Sequence, residues 1–189
     1  MIMRLARLAL AVVSTALLAV FAAACSDPVP PTPQGAWSIN FVSTGADCPV
    51  MGHMAQIGSV TSSSKSTVLV DGGAEKAKVT CVVSGTSTFS VTGNASANGL
   101  NAQISIPSID SNATAMAPAH GSVSFATGST GGSFSSPSAT PCDFYFVPGT
   151  GEGVASGRVW VAFVCPSVVQ QMRDCSLSES FAIFENCGE

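Results

Sequence analysis

Charge is scarce in this 189-residue chain, where Asp, Glu, Lys and Arg together make up 10%. No segment combines charged and apolar residues at the 3.6-residue period of a long amphipathic helix. Histidine occurs twice, at His53 and His120. A serine hydrolase would therefore have two candidate bases, and no G-x-S-x-G turn presents a serine to either. The cysteines form no C-x-x-C or C-x-x-H pair, the close spacing that structural zinc sites use. Beyond the first 24 residues no apolar run approaches the roughly 20 residues of a membrane-spanning helix. No internal repeat of fixed period occurs. Two of the seven basic residues are Arg4 and Arg7, so the chain after Cys25 keeps five against eleven acidic ones, a balance of −6. That balance argues against nucleic acid as a partner.

What is present begins with a secretory signal. Met1-Ile2-Met3-Arg4-Leu5-Ala6-Arg7 precedes an uncharged apolar stretch from Leu8 to Ala24, which ends in Phe21-Ala22-Ala23-Ala24-Cys25. Small residues leading into a cysteine resemble the lipobox of bacterial lipoproteins, with Ala22 where that family favours Leu. The resemblance implies a thioether-linked diacylglycerol on Cys25 and cleavage before it, hence a membrane partner through the lipid. The alternative is A-x-A cleavage after Ala22-Ala23-Ala24, with simple secretion. Ser26 after the cysteine resembles lipoproteins sorted to the outer membrane, so a cell-envelope location with the outer membrane favoured is expected. Ser26 to Gln34 carries four prolines, an extended tether of about 3.1 Å per residue. The organisation expected is thus a signal over 1–24, a lipidated Cys and tether over 25–34, and a single domain over 35–189.

Cysteine parity agrees with lipidation. Of seven cysteines, removing Cys25 leaves Cys48, Cys81, Cys142, Cys165, Cys175 and Cys187, an even set for an oxidising compartment. Three disulfides are expected. Cys175 and Cys187 flank a predicted strand over 178–186 and are too far apart to pair. Cys165 has two near candidates, Cys142 across a predicted hairpin and Cys175 across a short turn. The turn favours Cys175.

Apolar residues recur with period two. Trp37, Ile39 and Phe41 alternate with Ser38 and Asn40; Leu100, Ala102, Ile104 and Ile106 alternate with Asn101, Gln103 and Ser105; Val123 and Phe125 alternate with Ser122 and Ser124. Further strands are predicted over 55–60, 66–70, 77–83, 88–92, 143–147, 158–164 and 178–186. Val159 to Val164 is apolar on both faces and reads as a central, doubly covered strand. The one predicted helix is short, Ser167 to Asp174 behind Pro166. Gly128 to Pro137 reads as a surface loop. Without a long helix to cover a sheet, the fold expected is all-β: an antiparallel β-sandwich first, a closed up-and-down β-barrel second. Trp37, Ile39, Phe41, Ile104, Ile106, Val123, Phe125, Val161 and Phe163 should be buried.

The chemistry is sparse. Met51, His53 and Met54 offer two thioethers and an imidazole of the kind that suits Cu(I), and are weak metal candidates; Met54 as a core filler and His53 as a surface residue is the plainer alternative. Glu179 and Glu185 share a strand face but lie six residues, about 20 Å, apart, too far for a glycosidase pair. His120 reads as a strand-end residue. No catalytic residue and no cofactor is assigned. Gly35-Ala36-Trp37 resembles the G-x-W motif of lipocalins, over three residues. It implies an eight-stranded barrel carrying a small apolar ligand, with Trp37 closing one end. The functions expected are a tethered, non-catalytic interaction or structural module, with an envelope protein or polymer as partner, or a lipocalin-like carrier.

Overall fold

The computed structural model describes residues 30–42, 48, 54–128 and 131–189. Alternation of small polar and β-branched residues gives the described residues of the folded unit, Thr32–Glu189, twelve strands. These are β1 (Gln34–Val42), β2 (Met54–Ile57), β3 (Leu69–Val70), β4 (Lys78–Gly85), β5 (Thr88–Ala97), β6 (Leu100–Asp110), β7 (Ala119–Thr127), β8 (Gly132–Ser135), β9 (Cys142–Tyr145), β10 (Gly153–Ala155), β11 (Arg158–Gln170) and β12 (Arg173–Glu185). No helix occurs among the described residues. All named strand pairs are antiparallel, in the order β2-β1-β12-β11-β8-β7-β6-β5-β4, with β9 bridging β11 and β7.

This sheet turns over at β8 and β9, so that β2-β1-β12-β11 faces β7-β6-β5-β4 as a sandwich. Residues from both layers meet in one core. Trp37 on β1 donates its indole N–H across the layers to the Ala95 carbonyl of β5 at 3.0 Å. Phe184 on β12 reaches Gly93 on β5, where a Cβ would lie 2.6 Å from the ring. Phe41, Phe125 and Phe134 form an aromatic cluster with centroids 5.5 to 5.8 Å apart. All nine residues expected in the core are buried.

The predicted short helix is corrected. Residues 167–174 are the tip of the β11–β12 hairpin, which turns at Gln171 and Met172 with Gln171 at φ 55°. Val168 and Val169 have the spacing of a helix face but β-branched side chains that suit a strand. Pro166 sits where the register slips between Cys165 and Val168, so its missing N–H costs no ladder bond. The predicted loop over 128–137 contains β8, held between β7 and β11 and anchored by the fully buried Phe134.

The favoured Cys165–Cys175 pair is also corrected. The β9–β11 register, in which Asp143 stands opposite Val164, brings the next residues Cys142 and Cys165 together, and they bond with Cα atoms 4.2 Å apart. Cys175 lies opposite Val168, three positions from Cys165, or about 10 Å along the strand. It pairs instead with Cys48. Cys81 pairs with Cys187 and brings the C-terminal tail onto β4. There Val83 N donates to Gly188 O at 2.9 Å, Gly188 N to Cys81 O at 3.0 Å and Gly157 N to Val83 O at 3.0 Å. These bonds occupy the free edge of β4, a position open to strand addition in an unprotected sheet.

Candidate functional site

The two outer faces of the sandwich differ in kind. On the β1-β12-β11-β9 layer, Ala36, Ile183, Trp160, Ala162, Phe181 and Tyr145 form a second apolar cluster on the side away from the main core. Residues 58–68 strap across it. Val60 is buried in the cluster, Trp160 donates its indole N–H to Thr61 O at 3.1 Å, and Lys65 lies 5.8 Å from the Trp160 ring centroid. Lys65 also pairs with Glu185. The turn before β10 closes the other side: a Cβ on Gly151 would lie 2.7 Å from the Trp160 ring, so only glycine lets the turn lie flat there. This explains why Val159 to Val164 is apolar on both faces. One side meets the opposite layer, the other meets the strap and turn.

Three carboxylates rim this covered face. Glu152 accepts from Val147 N at 2.7 Å through one oxygen, while its other oxygen is buried without a partner. Burial, opposed by the Val147 hydrogen bond and reinforced by the charge of Glu179, pushes its pKa up to about 7. Tyr145 donates to Glu179 at 3.1 Å. Burial, then the charge and hydrogen bond of Glu179, push that phenol up to about 12. Burial tends to raise Glu185, but hydrogen bonds from Lys65 and Gln34 outweigh it and hold its carboxyl below the ordinary range. Glu179 and Glu185, which share a face in the sequence reading, thus belong to separate hydrogen-bond sets.

The other outer face, on β4 to β8, is built differently. Adjacent strands place Val82, Thr92, Ser105 and Ser122 in one row, and Thr80, Asn94, Gln103, Ser124 and Ser135 in the next. A third row runs Lys78, Ser96, Asn101, Ala126 and Ser133. The ionisable side chains of these five strands, apart from disulfide-bonded Cys81, are Lys78, Asp110 and His120, each at or next to a strand end. Two shallow depressions mark the face. One of about 250 Å³ is lined by Thr80, Val82, Thr92, Asn94 and Gln103. The other, about 230 Å³, lies between Ser105, Pro107, His120, Ser122 and Pro141. They adjoin where Thr92 pairs with Ser105.

His120 closes the second depression, its Nδ1 2.9 Å from Asp143 on β9. The pair is exposed, and no serine stands in hydrogen-bond contact with the imidazole among the described residues. Sequence alternation gave the polar side of these strands. The registry of the rows, and Asp143 as the partner of His120, depend on pairing between distant strands. Of the metal candidates, Met51 and His53 lie outside the described residues, as does Cys25; Met54 opens β2 and is largely exposed. Among the described residues no three His, Cys, Asp or Glu side chains gather as a metal site. No family model, curated protein or solved structure matches this chain.

Proposed function

We propose that this chain is an exported lipoprotein, held at an envelope membrane by a lipid on Cys25, whose β-sandwich is a non-catalytic interaction module. The observation that carries the reading is the contrast between the two outer faces. One is closed by its own strap and turn; the other is an ordered grid, uncharged across its two central rows, that none of the described segments covers. Three disulfides are compatible with an extracellular or envelope location, where thiols oxidise and remain paired. Once Cys25 is assigned to the lipid, the other six cysteines are all accounted for by these bonds.

The experiment combines fractionation with capture. The wild-type chain should sediment with membranes, and Cys25→Ala should shift it to the soluble or unprocessed pool. Crosslinking in intact cells should join the tethered protein to one dominant envelope component through residues of β4 to β8. A soluble wild-type protein, or crosslinks scattered evenly over the surface, would overturn the reading. A lipocalin-type carrier gains no support from the interior, where Trp37, Phe125, Phe144, Phe163 and Phe184 fill the space between the layers.

A further inference from the structure

Solvated sheet faces ordinarily mix Lys, Glu, Arg and Asp into their exposed rows, which keeps proteins soluble and discourages sheet association. The face on β4 to β8 departs from that pattern. Across its two central rows the side chains are Thr80, Asn94, Gln103, Ser124 and Ser135, and Val82, Thr92, Ser105 and Ser122, with no charge in either. Neighbouring rows repeat about every 6.7 Å along a strand and neighbouring strands about every 4.8 Å, so hydroxyls and amides form a regular grid of donors and acceptors.

Small apolar surfaces interrupt that grid. Val82 is 44% exposed beside Thr80 and Thr92 in the first depression, while the rings of Pro107, Pro137 and Pro141 border the second. The two depressions share no lining residue, but the Thr92–Ser105 pair sets them side by side, and together they span the strands from β4 to β7 as the two parts of one candidate furrow. It ends at the His120–Asp143 pair.

We infer that this furrow binds an uncharged polysaccharide chain laid across the strands from β4 to β7. This rests on the interaction-module reading and names the partner's chemistry. A pyranose unit carries outward hydroxyls around a ring whose faces are C–H surfaces. Hydroxyl and amide side chains answer the first; Val82 and the prolines answer the second. Charge decides between polymers. A polyanion would lose its counter-ions and hydration over central rows that supply no cation, whereas a neutral chain exchanges hydrogen bonds with water at little electrostatic cost. Binding is weak per sugar unit and gains from many units held at once, which suits a protein concentrated on a surface by a tether.

The test uses the full protein purified from exporting cells in detergent, run by affinity electrophoresis through gels containing soluble starch, dextran, mannan or hydroxyethyl cellulose, and through gels containing polygalacturonate. Retardation is expected with at least one neutral polymer, unchanged by added salt. Asn94→Asp and Gln103→Glu replace amides by carboxylates of nearly the same shape. Each should weaken retardation at least tenfold, while circular dichroism and the disulfide map stay as in the wild type. Retardation by polygalacturonate alone, by none of the neutral polymers, or equally for wild type and both variants would overturn the inference. If in-cell crosslinks from this face lead to an envelope protein and the neutral polymers give no retardation, the polysaccharide is wrong and the interaction module stands. Absence of membrane attachment would instead sink the lipid anchor alone and leave the binding face to be judged by the gels.

Discussion

Glu152 gives the fold a definite pH dependence. Its pKa is raised from 4.5 to about 7 in the folded chain, so the native state holds this proton more tightly than the unfolded one. The stabilisation is fully present below about pH 4.5 and is lost as pH rises through 7. Because the group is only half-buried, solvent screening limits the effect to about 1 kcal/mol. Glu152→Gln keeps an acceptor for Val147 N and removes the titration, so urea unfolding at a series of pH values should give it a flatter profile and higher stability than wild type at pH 8. An unchanged profile would contradict the account. Glu185, lowered in the fold, acts in the opposite sense and loses its contribution as pH falls through the carboxylate range. In the core, Trp37→Ala should cost about 3–5 kcal/mol, through lost volume and the lost hydrogen bond to the Ala95 carbonyl. Gly93→Ala should cost about 1–3 kcal/mol, because its methyl group collides with the Phe184 ring. The burial of Trp37 could be read from alternation alone. The need for glycine at 93 could not, since Phe184 is 91 positions away and meets it only when the layers face each other.

At the level of elements, the strap over Trp160 should depend on its apolar anchor more than on its ion pair. Lys65 and Glu185 are partly exposed, so Lys65→Ala should cost less than about 1 kcal/mol. Val60 is buried, and Val60→Ala should cost about 2 kcal/mol. Denaturant midpoints of the two variants check the order, and the reverse order would show that the strap is held electrostatically. Strands β5, β6 and β7 were plain in the sequence because one face is wet and the other dry. β8 was hidden because one phenylalanine among serines and glycines carries it, its backbone being paired on both sides. The β11–β12 hairpin was hidden for another reason. Its turn residues, Gln171 and Met172, lack the Asn or Gly signature of a two-residue turn, and Pro166 imitates a helix start. That misreading brought Cys175 back beside Cys165, and the freedom assigned to the intervening turn then favoured it over Cys142. Among the bonds that form, Cys81–Cys187 closes 106 residues of chain and Cys142–Cys165 closes 23. By chain entropy the double replacement of the first pair by Ser should cost about 4–5 kcal/mol and that of the second about 3 kcal/mol. Loss of the first also frees the β4 edge, so that variant should self-associate on size exclusion as concentration rises.

For the whole molecule, the proposed lipid tether and the stapled sandwich would together present the face on β4 to β8 at a membrane. The class of the fold was legible throughout, because period-two alternation without a long helix leaves a sheet nothing to pack against except another sheet. The candidate face was legible only as composition, since its rows form when five strands come into register. The claim on which the rest depends is the division of the seven cysteines into one lipid anchor and three disulfides. Non-reducing peptide mapping by mass spectrometry of the protein extracted from native membranes tests it directly. The account predicts an N-terminal peptide that begins at Cys25 and carries a diacylglyceryl group, together with the Cys48–Cys175, Cys81–Cys187 and Cys142–Cys165 linkages. An unmodified N-terminus at or beyond Cys25, or Cys25 in disulfide linkage with one of the other six, would contradict it.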